Sequence, residues 1–346
     1  MPNKTKPHPY NYFDYRREGY PRVINLNVTL RCNLFCDMCQ VPTSQAEEAP
    51  PEKMLAFFDR LGAWLPDPLM FILTGGEPLM HKRIYDYVAK ISQIGHIPVL
   101  NTNGALLNVE RVKRLLGAGV EVINLSLDGV GELHDRLRNG PGLYAGILDI
   151  IYYLTHNTDL NVNAVMVIHA LNAHSLPELV GILRQMTGFG VMQFQAVVPT
   201  LARGWSEDFF KLSPLWPRTR EQLDVVLSTI DNLEALKRDG AKINNPYSQF
   251  AMWRRYFTDP RELGASYPCL AMHNMLQVTV GGNIQLCERH GAIGTIDDDP
   301  AVIWNGERAQ KVRAAMRDCA ATCNYKLNCC YFADEDQAVC DLSTTS

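Results

Sequence analysis

Three cysteines stand close together near the start of the chain, in the segment LRCNLFCDMCQ at residues 30–40. Cys32, Cys36 and Cys39 follow the spacing CxxxCxxC. Soft thiolates select zinc, copper(I) or an iron–sulfur cluster. A structural zinc ion takes four protein ligands, and neither a histidine nor a fourth cysteine lies near this segment. The pattern favours a 4Fe–4S cluster with one iron left open for a cofactor or substrate, over a zinc site completed by a distant ligand.

The other seven of the ten cysteines all lie between residues 269 and 340. The first twenty residues hold no apolar run of the signal-peptide type. No stretch approaches the ~18 consecutive apolar residues of a membrane span. We therefore expect a cytoplasmic protein with no membrane partner, in which reduced thiols serve as metal ligands or catalytic groups. The net charge of −4 gives no reason to expect a nucleic-acid partner.

The elements that must position these cysteines alternate between strands and helices from about residue 22 to residue 200. Apolar, β-branched runs predict six strands, at 23–30, 70–76, 97–104, 120–129, 160–168 and 191–199. Amphipathic segments predict helices at 51–65, 83–95, 109–119, 142–157 and 175–188. Near-continuous apolar strands are typical of a parallel sheet, and the alternation indicates right-handed crossover units. The first cysteine cluster follows the first strand, at the edge where such folds build active sites.

Patterning divides the chain into four parts. They are an N-terminal tail (1–21), a core of six strand–helix units (22–200), a helical bridge or lid (201–265) and a C-terminal part (266–346). The C-terminal part begins with a predicted hairpin at 276–287, around a Gly-Gly-Asn turn. A helix is predicted at 306–318. The six core units form either an open sheet or an incomplete barrel, and patterning alone does not separate the two.

Motifs at the ends of the next three strands accompany the first cysteine cluster. GGEP follows the second strand, NTNG ends the third, SLDG ends the fourth, and HDRLRNG comes soon after. With CxxxCxxC after the first strand, this order resembles the radical S-adenosylmethionine (radical SAM) superfamily. The resemblance implies an α/β fold, a partial (β/α)6 TIM-like barrel with a small C-terminal hairpin-plus-helix domain for an auxiliary cluster. It also implies that Cys32, Cys36 and Cys39 hold a 4Fe–4S cluster to which S-adenosylmethionine (SAM) binds.

The resemblance assigns the other motif residues to parts of SAM. They are Gly75, Gly76, Glu77 and Pro78 for the amine, Asn103 near the cofactor, Ser126 and Asp128 for the ribose hydroxyls or the cofactor's polar end, Arg138 for the carboxylate, and Met38 beside the adenine. Glycines permit close backbone approach, and a guanidinium fork matches a carboxylate. Relatives usually carry an aromatic residue where this chain has Met38, but a thioether can still pack against a purine.

The C-terminal cysteines resemble the SPASM and Twitch extensions of radical SAM enzymes, which carry auxiliary 4Fe–4S clusters. Cys269 and Cys287 flank the predicted hairpin as C-x12-G-x4-C. The later cysteines, whose spacing departs from the SPASM pattern, are Cys319, Cys323, Cys329, Cys330 and Cys340. In one interpretation a single auxiliary cluster uses the first pair and two later cysteines, Cys319 and Cys323.

A second interpretation places two auxiliary clusters in the C-terminal part. The outer cluster takes Cys319, Cys323, Cys329 and Cys340, and the inner one takes Cys269, Cys287 and Cys330. Adjacent cysteines cannot easily serve two cubanes, so we favour one cluster. By ligand type alone, a zinc ribbon is the alternative.

The resemblance also implies the reaction. Reductive cleavage of SAM gives a 5′-deoxyadenosyl radical, which abstracts hydrogen from an unactivated carbon. The short N-terminal tail lacks room for a peptide-recognition domain, which favours a small polar substrate of the sugar or aminoglycoside kind, oxidised or epimerised with help from the auxiliary cluster. Cys330 and Cys340 are candidate hydrogen-atom donors, and a flavodoxin- or ferredoxin-type reductant is the implied partner. We expect Met166, Gln193 and Gln195 to line the cavity.

Two alternative functions stay open. The chain can be a maturase of ribosomal peptides that forms a cross-link or thioether or epimerises a residue, so the substrate is a small molecule or a peptide. An alternative from another class is a non-catalytic iron–sulfur or zinc-binding module. Such a module accounts for the cysteines but has no need of GGEP, SLDG and an arginine.

Overall fold

The computed structural model describes residues 19–39, 41–43, 46–66, 68–199, 207–261, 263 and 269–329. Within these ranges, each helix is too short or too polar to cross a membrane. Most of the predicted N-terminal tail, the start of the predicted lid, and the thiols of Cys330 and Cys340 lie outside the described residues.

The described strands form one continuous sheet. Their bounds are β1 Val23–Thr29, β2 Met70–Gly75, β3 Ile97–Thr102, β4 Val122–Ser126, β5 Asn161–Ile168, β6 Met192–Ala196, β7 Met275–Val278, β8 Asn283–Gln285 and β9 Gly294–Thr295. Their order across the sheet is β6-β5-β4-β3-β2-β1-β7-β8-β9. Strands β1 to β6 are all parallel, as near-continuous apolar runs predict. Strand β7 adds to the outer edge of β1 in parallel, and β8 and β9 follow antiparallel.

Helices connect the parallel strands and continue into the C-terminal part. Their bounds are α1 Pro51–Trp64, α2 Ile84–Gln93, α3 Val109–Ala118, α4 Glu132–Arg138, α5 Leu143–Asn157, α6 Leu176–Arg184, α7 Asp208–Leu212, α8 Arg220–Arg238, α9 Tyr247–Thr258, α10 Ala271–Asn274, α11 Pro300–Asn305, α12 Glu307–Arg317 and α13 Asn324–Asn328. Local sequence explains several ends. The Asn108 side chain caps the start of α3, and Gly119 ends that helix in a left-handed conformation. A capping box of Thr219 and Gln222 starts α8.

The sheet has one apolar and one polar face, because successive side chains of a strand point to opposite sides. On the apolar face, Ile24, Leu73 and Phe194 are fully buried. Phe58 of α1 meets Phe71 of β2 on this face, edge to face, with ring centroids 6.2 Å apart. The helices therefore cover the apolar face, and amide side chains line the other. This arrangement confirms the predicted α/β fold with a partial (β/α)6 barrel.

Three asparagines form a ladder across neighbouring strands on the polar face. Asn101 is in register with Asn124, and Asn124 with Asn163. The Asn124 side-chain nitrogen donates to Asn101 Oδ1 at 2.7 Å, and that of Asn163 donates to Asn124 Oδ1 at 3.0 Å. Asn163 Oδ1 in turn accepts from the Val191 amide at 2.9 Å. The ladder satisfies buried amide groups that would be costly inside the barrel without partners.

Helix α13 connects the two ends of the parallel sheet. Asn328 exchanges hydrogen bonds of 2.8 and 2.9 Å with the backbone of Ala196 in β6. The Tyr325 hydroxyl donates to Gln277 Oε1 in β7. In a flat sheet, β6 and β7 would lie six strand spacings apart, roughly 29 Å, whereas α13 has only 5 residues. The sheet therefore curls into a barrel, and α13 closes its open side.

The segment that contains α8 and α9 supports this closure. Asn245 accepts a 2.7 Å hydrogen bond from the Phe194 amide of β6 and donates one of 2.9 Å to the Phe194 carbonyl. In α9, Gln249 and Trp253 both donate to the Leu327 carbonyl of α13, at 2.7 and 3.1 Å. The described part of the predicted bridge or lid therefore makes the contacts of a bridge.

We predict that Asn124→Ala destabilises the barrel by about 1–3 kcal/mol, because it leaves the buried partners Asn101 and Asn163 without one hydrogen bond each. Urea denaturation followed by circular dichroism measures this change. The matched control is Asn157→Ala on the exposed end of α5, expected within about 0.5 kcal/mol of the wild type. Equal unfolding curves for both variants would show that the ladder contributes nothing to stability.

Candidate active site

The first cysteine cluster lies in the loop after β1, at the carboxyl edge of the sheet. Cys32, Cys36 and Cys39 are each half-buried, and the Cys39 amide donates to the Cys36 carbonyl at 3.0 Å. Burial raises the pKa of the Cys32 thiol, and it raises that of Cys36 to about 11; negative charge on neighbouring thiols acts in the same direction. Because their pKa is raised, these thiols need a nearby positive charge to exist as thiolates. A bound metal cluster supplies such a charge, so this environment suits metal ligands.

The described side chains do not form a closed ligand set as placed. Across the described ranges, no three His, Cys, Asp or Glu side chains converge as they would around one metal ion. The Cys36 Sγ lies 3.9 Å from both the Arg138 carbonyl oxygen and its Nη1. The three thiols share one loop and affect one another electrostatically.

The GGEP turn holds the cysteine loop against the end of β2. The Gly76 amide donates to the Thr29 carbonyl at 2.7 Å, and the Glu77 amide donates to the Arg31 carbonyl at 2.8 Å. A Cβ atom at Gly75 or Gly76 would lie 2.2 Å from the Thr29 or Arg31 carbonyl oxygen, and Gly75 has φ of +122°. The close approach predicted for these glycines is therefore made, in part, to the protein's own backbone.

Glu77 is directed into the protein. It is fully buried, and its carboxylate accepts from the Leu79 amide at 3.1 Å, the Thr102 hydroxyl at 2.8 Å and the Asn103 amide at 2.8 Å. Burial raises its pKa, and these hydrogen bonds oppose that rise. These three internal donors fix the direction of the carboxylate, and its expected role at an ammonium group stays a prediction. Glu77 ties β2 to β3, and the buried Pro78 starts a short 3-10 helix behind it.

Asn103 connects the NTNG motif back to the cysteine loop. Its side-chain nitrogen lies 3.6 Å from the Cys32 Sγ and donates to Asn33 Oδ1 at 3.0 Å. Its Oδ1 accepts from the Ala105 amide at 2.9 Å. The structure therefore brings together the loops after β1, β2 and β3, as their predicted strand positions require.

Asp128 and Arg138 form a buried ion pair beside Cys36. The Arg138 Nε and Nη2 atoms lie 2.7 and 2.5 Å from the same Asp128 oxygen, and the Val167 amide donates to the other oxygen at 2.8 Å. Burial alone would raise the pKa of Asp128, but the Arg138 guanidinium and the hydrogen bond from the Val167 amide, with smaller contributions from His134 and His169, together hold that pKa below its usual value. The two side chains bind each other, and the expected contacts of Asp128 and Arg138 with SAM stay predictions.

The remaining predicted cofactor contacts keep positions near this edge. Ser126 ends β4, half-exposed and on the same face as Asn124, and Met38 is half-buried against the core. Gln193 and Gln195 lie on the polar face of β6. Met166 is fully buried on the opposite face, in register with Phe194. The expectation that Met166 lines the cavity is wrong, because strand alternation places it beneath the helices.

Two histidines next to the ion pair were missed as site residues. His134 Nδ1 accepts from the Asp128 amide at 3.0 Å, and His169 Nδ1 accepts from the Leu171 amide at 3.2 Å. Both rings are fully buried, and their Nε2 atoms have no hydrogen-bond partner among the described residues. Burial lowers each pKa to about 4. His134 stands inside the HDRLRNG motif, whereas no local signal distinguishes His169.

The C-terminal cysteines form a second group. Cys269 and Cys287 are buried, and Cys319 and Cys323 are half-buried. Burial raises the pKa of Cys269 to about 11, with negative charge on Cys323 and Cys287 adding to it. The pKa of Cys287 is raised by burial and then by Cys323 and Cys319. These four thiols therefore lie within electrostatic reach of one another.

The fifth described C-terminal cysteine is Cys329, which is buried. Its Sγ atom lies 3.9 Å from the side-chain nitrogen of Asn324.

A buried polar group beside this second cysteine group was also missed by sequence reasoning. Tyr325 donates to Gln277, and its hydroxyl lies 3.4 Å from Glu288 Oε1. The Gln277 side-chain nitrogen lies 3.4 Å from the same carboxylate oxygen. Burial raises the pKa of Glu288. Glu288 directly follows Cys287 in sequence, but only the fold shows that its carboxylate is held inward.

The chain is similar in sequence and in fold to known proteins. Residues 26–183 match the family model of the radical SAM superfamily. Fe-coproporphyrin III synthase of Methanosarcina barkeri is 27% identical over 52% of this chain and 45% of its own length. PqqA peptide cyclase of Bradyrhizobium diazoefficiens is 26% identical over 74% of this chain and 68% of its own. SuiB of Streptococcus suis, bound to SAM, has a TM-score of 0.66 at 13% identity, covering 86% of this chain and 68% of that one.

Residues 26–183 are therefore a domain of the radical SAM superfamily, as the motifs predict. The match to this family also confirms the two predicted cofactors of the domain, a 4Fe–4S cluster and SAM. The chain spans about half the length of the first curated relatives it matches, 45% in the case of the synthase. The likeness to SuiB at 13% identity shows the fold.

We predict that stability falls as the pH drops from 6.5 to about 4, because His134 and His169 stay neutral in the folded state but take up protons when the chain unfolds. Each histidine contributes up to roughly 3 kcal/mol to this change. Urea denaturation at several pH values measures it, and His169→Asn, which keeps an acceptor for the Leu171 amide, flattens the slope. His156→Asn on exposed α5 is the matched control. A slope in His169→Asn as steep as in the wild type contradicts a neutral buried His169.

Proposed function

We propose that this chain is a radical SAM enzyme in which Cys32, Cys36 and Cys39 hold the 4Fe–4S cluster. One observation carries the proposal: the GGEP turn, Asn103 of the NTNG motif and Arg138 of the HDRLRNG motif all contact the cysteine loop. The GGEP turn binds its backbone, Asn103 reaches Cys32, and Arg138 lies against Cys36. A metal-binding module needs the thiols alone, whereas a cofactor site needs this whole edge.

The chain's own residues would bind and orient SAM around that cluster. When bound, the cluster and SAM supply a 5′-deoxyadenosyl radical, by one-electron reductive cleavage, that abstracts hydrogen from a substrate carbon. We assign the backbone of Gly75 and Gly76 to the amine, Ser126 to the ribose and Met38 to the adenine. Glu77 and Asn103 are proposed as positioning residues for these groups. A flavodoxin- or ferredoxin-type protein is the proposed electron donor.

We further propose that residues 266–346 hold one auxiliary 4Fe–4S cluster, in a SPASM- or Twitch-like segment. Mutual electrostatic effects among Cys269, Cys287, Cys319 and Cys323 support a four-thiolate site. Cysteine ligands of this kind suit a closed cubane. Helix α13 connects this segment to the polar face of the barrel, so the cluster would lie near the substrate.

The proposed substrate is a small polar molecule of the sugar or aminoglycoside kind, which the enzyme oxidises or epimerises. The polar face supports this class, since Gln193 and Gln195 place amide side chains on it. Hydroxyl and amine groups pair well with such side chains.

A peptide substrate is the second candidate. The observation in its favour is the alignment with a PqqA peptide cyclase over 74% of this chain. Amide side chains also suit an extended peptide backbone, which offers one donor and one acceptor per residue. A maturase that cross-links, forms a thioether in, or epimerises a peptide is consistent with the same site.

We predict that Cys36→Ala abolishes release of 5′-deoxyadenosine, because two thiolates cannot hold the cluster. After anaerobic reconstitution with iron and sulfide, the variant should carry about four irons per chain against about eight in the wild type, if each cluster is a cubane. Iron analysis and chromatography after addition of SAM and dithionite measure both values.

The matched control is Cys269→Ala, which should lose the auxiliary irons yet still release 5′-deoxyadenosine without substrate. Intact SAM cleavage in Cys36→Ala would falsify the assignment. A colourless zinc protein that leaves SAM intact would instead identify the binding module.

We predict that Gln195→Leu slows substrate-dependent formation of 5′-deoxyadenosine about tenfold, as expected for losing roughly 1.4 kcal/mol of hydrogen bonding. Substrate-independent cleavage should not change. The assay compares a panel of aminocyclitols with a panel of ribosomal-type peptides, and the panel that stimulates cleavage identifies the substrate class. Gln185→Leu, on the exposed end of α6, is the control. Equal rates in both variants would remove Gln195 from the substrate site.

A further inference from the structure

The Arg138–Asp128 ion pair is oriented with its positive end toward the cysteine loop. Arg138 Nη1 lies 3.9 Å from Cys36 Sγ, while Nε and Nη2 bind Asp128 on the other side. Asp128 is fully buried, and Arg138 is only 8% exposed. Charges removed from water in this way are poorly screened by salt, so both act on the thiolates at short range.

The groups that face the pair do not offset its charges. The Val167 amide and the Asn172 side chain hydrogen-bond Asp128, and both are uncharged. His134, from α4, and His169, from the loop after β5, are neutral near pH 7 because burial lowers the pKa of each to about 4. The pair therefore keeps one full positive and one full negative charge at neutral pH.

A second donor reaches the loop from the opposite side. The Asn103 side-chain nitrogen lies 3.6 Å from Cys32 Sγ, and the Asn103 amide is itself fixed by Glu77 at 2.8 Å. Two of the three thiols in this loop thus have an N–H donor, one from Asn103 after β3 and one from Arg138 at the end of α4. For iron–sulfur clusters, nearby charge and hydrogen bonds to sulfur set the reduction potential.

We propose that the Asp128–Arg138 pair sets the reduction potential of the cluster that Cys32, Cys36 and Cys39 hold. Reduction adds one negative charge to the cluster. Arg138 favours the reduced form through its positive charge and its contact with Cys36. Asp128, on the other side of Arg138, partly offsets that effect through its negative charge. Both are positioning residues, and the inference rests on the proposed function.

The two halves of the pair should shift the potential in opposite directions. Arg138→Gln leaves the Asp128 charge unbalanced and lowers the midpoint potential. Asp128→Asn leaves the Arg138 charge unbalanced and raises it. In each single variant we expect at least a tenfold change in the ratio of reduced to oxidised cluster at a fixed solution potential, which equals about 59 mV for one electron. Arg138→Lys should stay near the wild type. The double variant loses the nearer positive charge together with the more distant negative one, so its midpoint potential should lie below that of the wild type but above that of Arg138→Gln.

The experiment is a redox titration of the reconstituted full chain without SAM, followed by electron paramagnetic resonance. Omitting SAM excludes any effect through a contact of Arg138 with that cofactor. Arg184→Gln, which breaks the exposed 2.9 Å pair with Asp239, is the matched control. A purely structural role would move both single variants in the same direction or neither, and either result overturns the proposal.

Loss of the cluster from a single variant does not prevent the test. If a single variant fails to retain the cluster, the double variant decides, because it carries no unbalanced charge. A midpoint potential below that of the wild type supports the proposal, and an unchanged or raised potential overturns it. Wild-type samples receive SAM and dithionite in parallel. Release of 5′-deoxyadenosine with no opposite shifts would refute the tuning role alone, whereas absence of both cluster signal and cleavage would refute the proposed function.

Discussion

The position of the cysteine loop depends on a backbone contact that only glycine permits. Two carbonyls at the end of β1, those of Thr29 and Arg31, receive the amides of Gly76 and Glu77. A side chain at Gly75 or Gly76 would collide with the same carbonyl oxygens. Because the cysteines follow β1 directly, this contact fixes where their loop leaves the sheet. The later motifs then add to it: Glu77 fixes Asn103, and Asn103 returns to the loop.

The motif residues thus form a connected network rather than a set of independent ligands. A buried ion pair is costly to desolvate, and apolar residues of the same volume often stabilise a core as well. Retaining Asp128 and Arg138 in full burial, beside thiols and two neutral histidines, is therefore better explained by the needs of the site than by stability. The same reasoning applies to Glu77, whose burial is tolerated because three donors meet its carboxylate.

Local periodicity made most of the core predictable. The six predicted strands and five predicted helices all form, with ends that differ by a few residues, because apolar period and start or stop residues act over short distances. The direction of the Glu77 carboxylate and the partner of Arg138 depend on contacts between distant segments, which no local pattern encodes. Met166 was misplaced for a simpler reason: alternation fixes which residues share a face, but not which face is covered.

The pairing of β7 with β1 was also beyond sequence reasoning, and it changes how the C-terminal part relates to the core. The hairpin was predicted correctly as a local unit, yet its first strand extends the core sheet in parallel. Helix α13 then returns to β6, held by Gln249 and Trp253 of α9. The described part of the C-terminal segment, which carries Cys269, Cys287, Cys319, Cys323 and Cys329, is therefore attached to both ends of the barrel. A movement of this segment would have to break the Asn328 contact with β6 or the α9 contacts, so its distance from the polar face is fixed by the fold and not by a flexible linker.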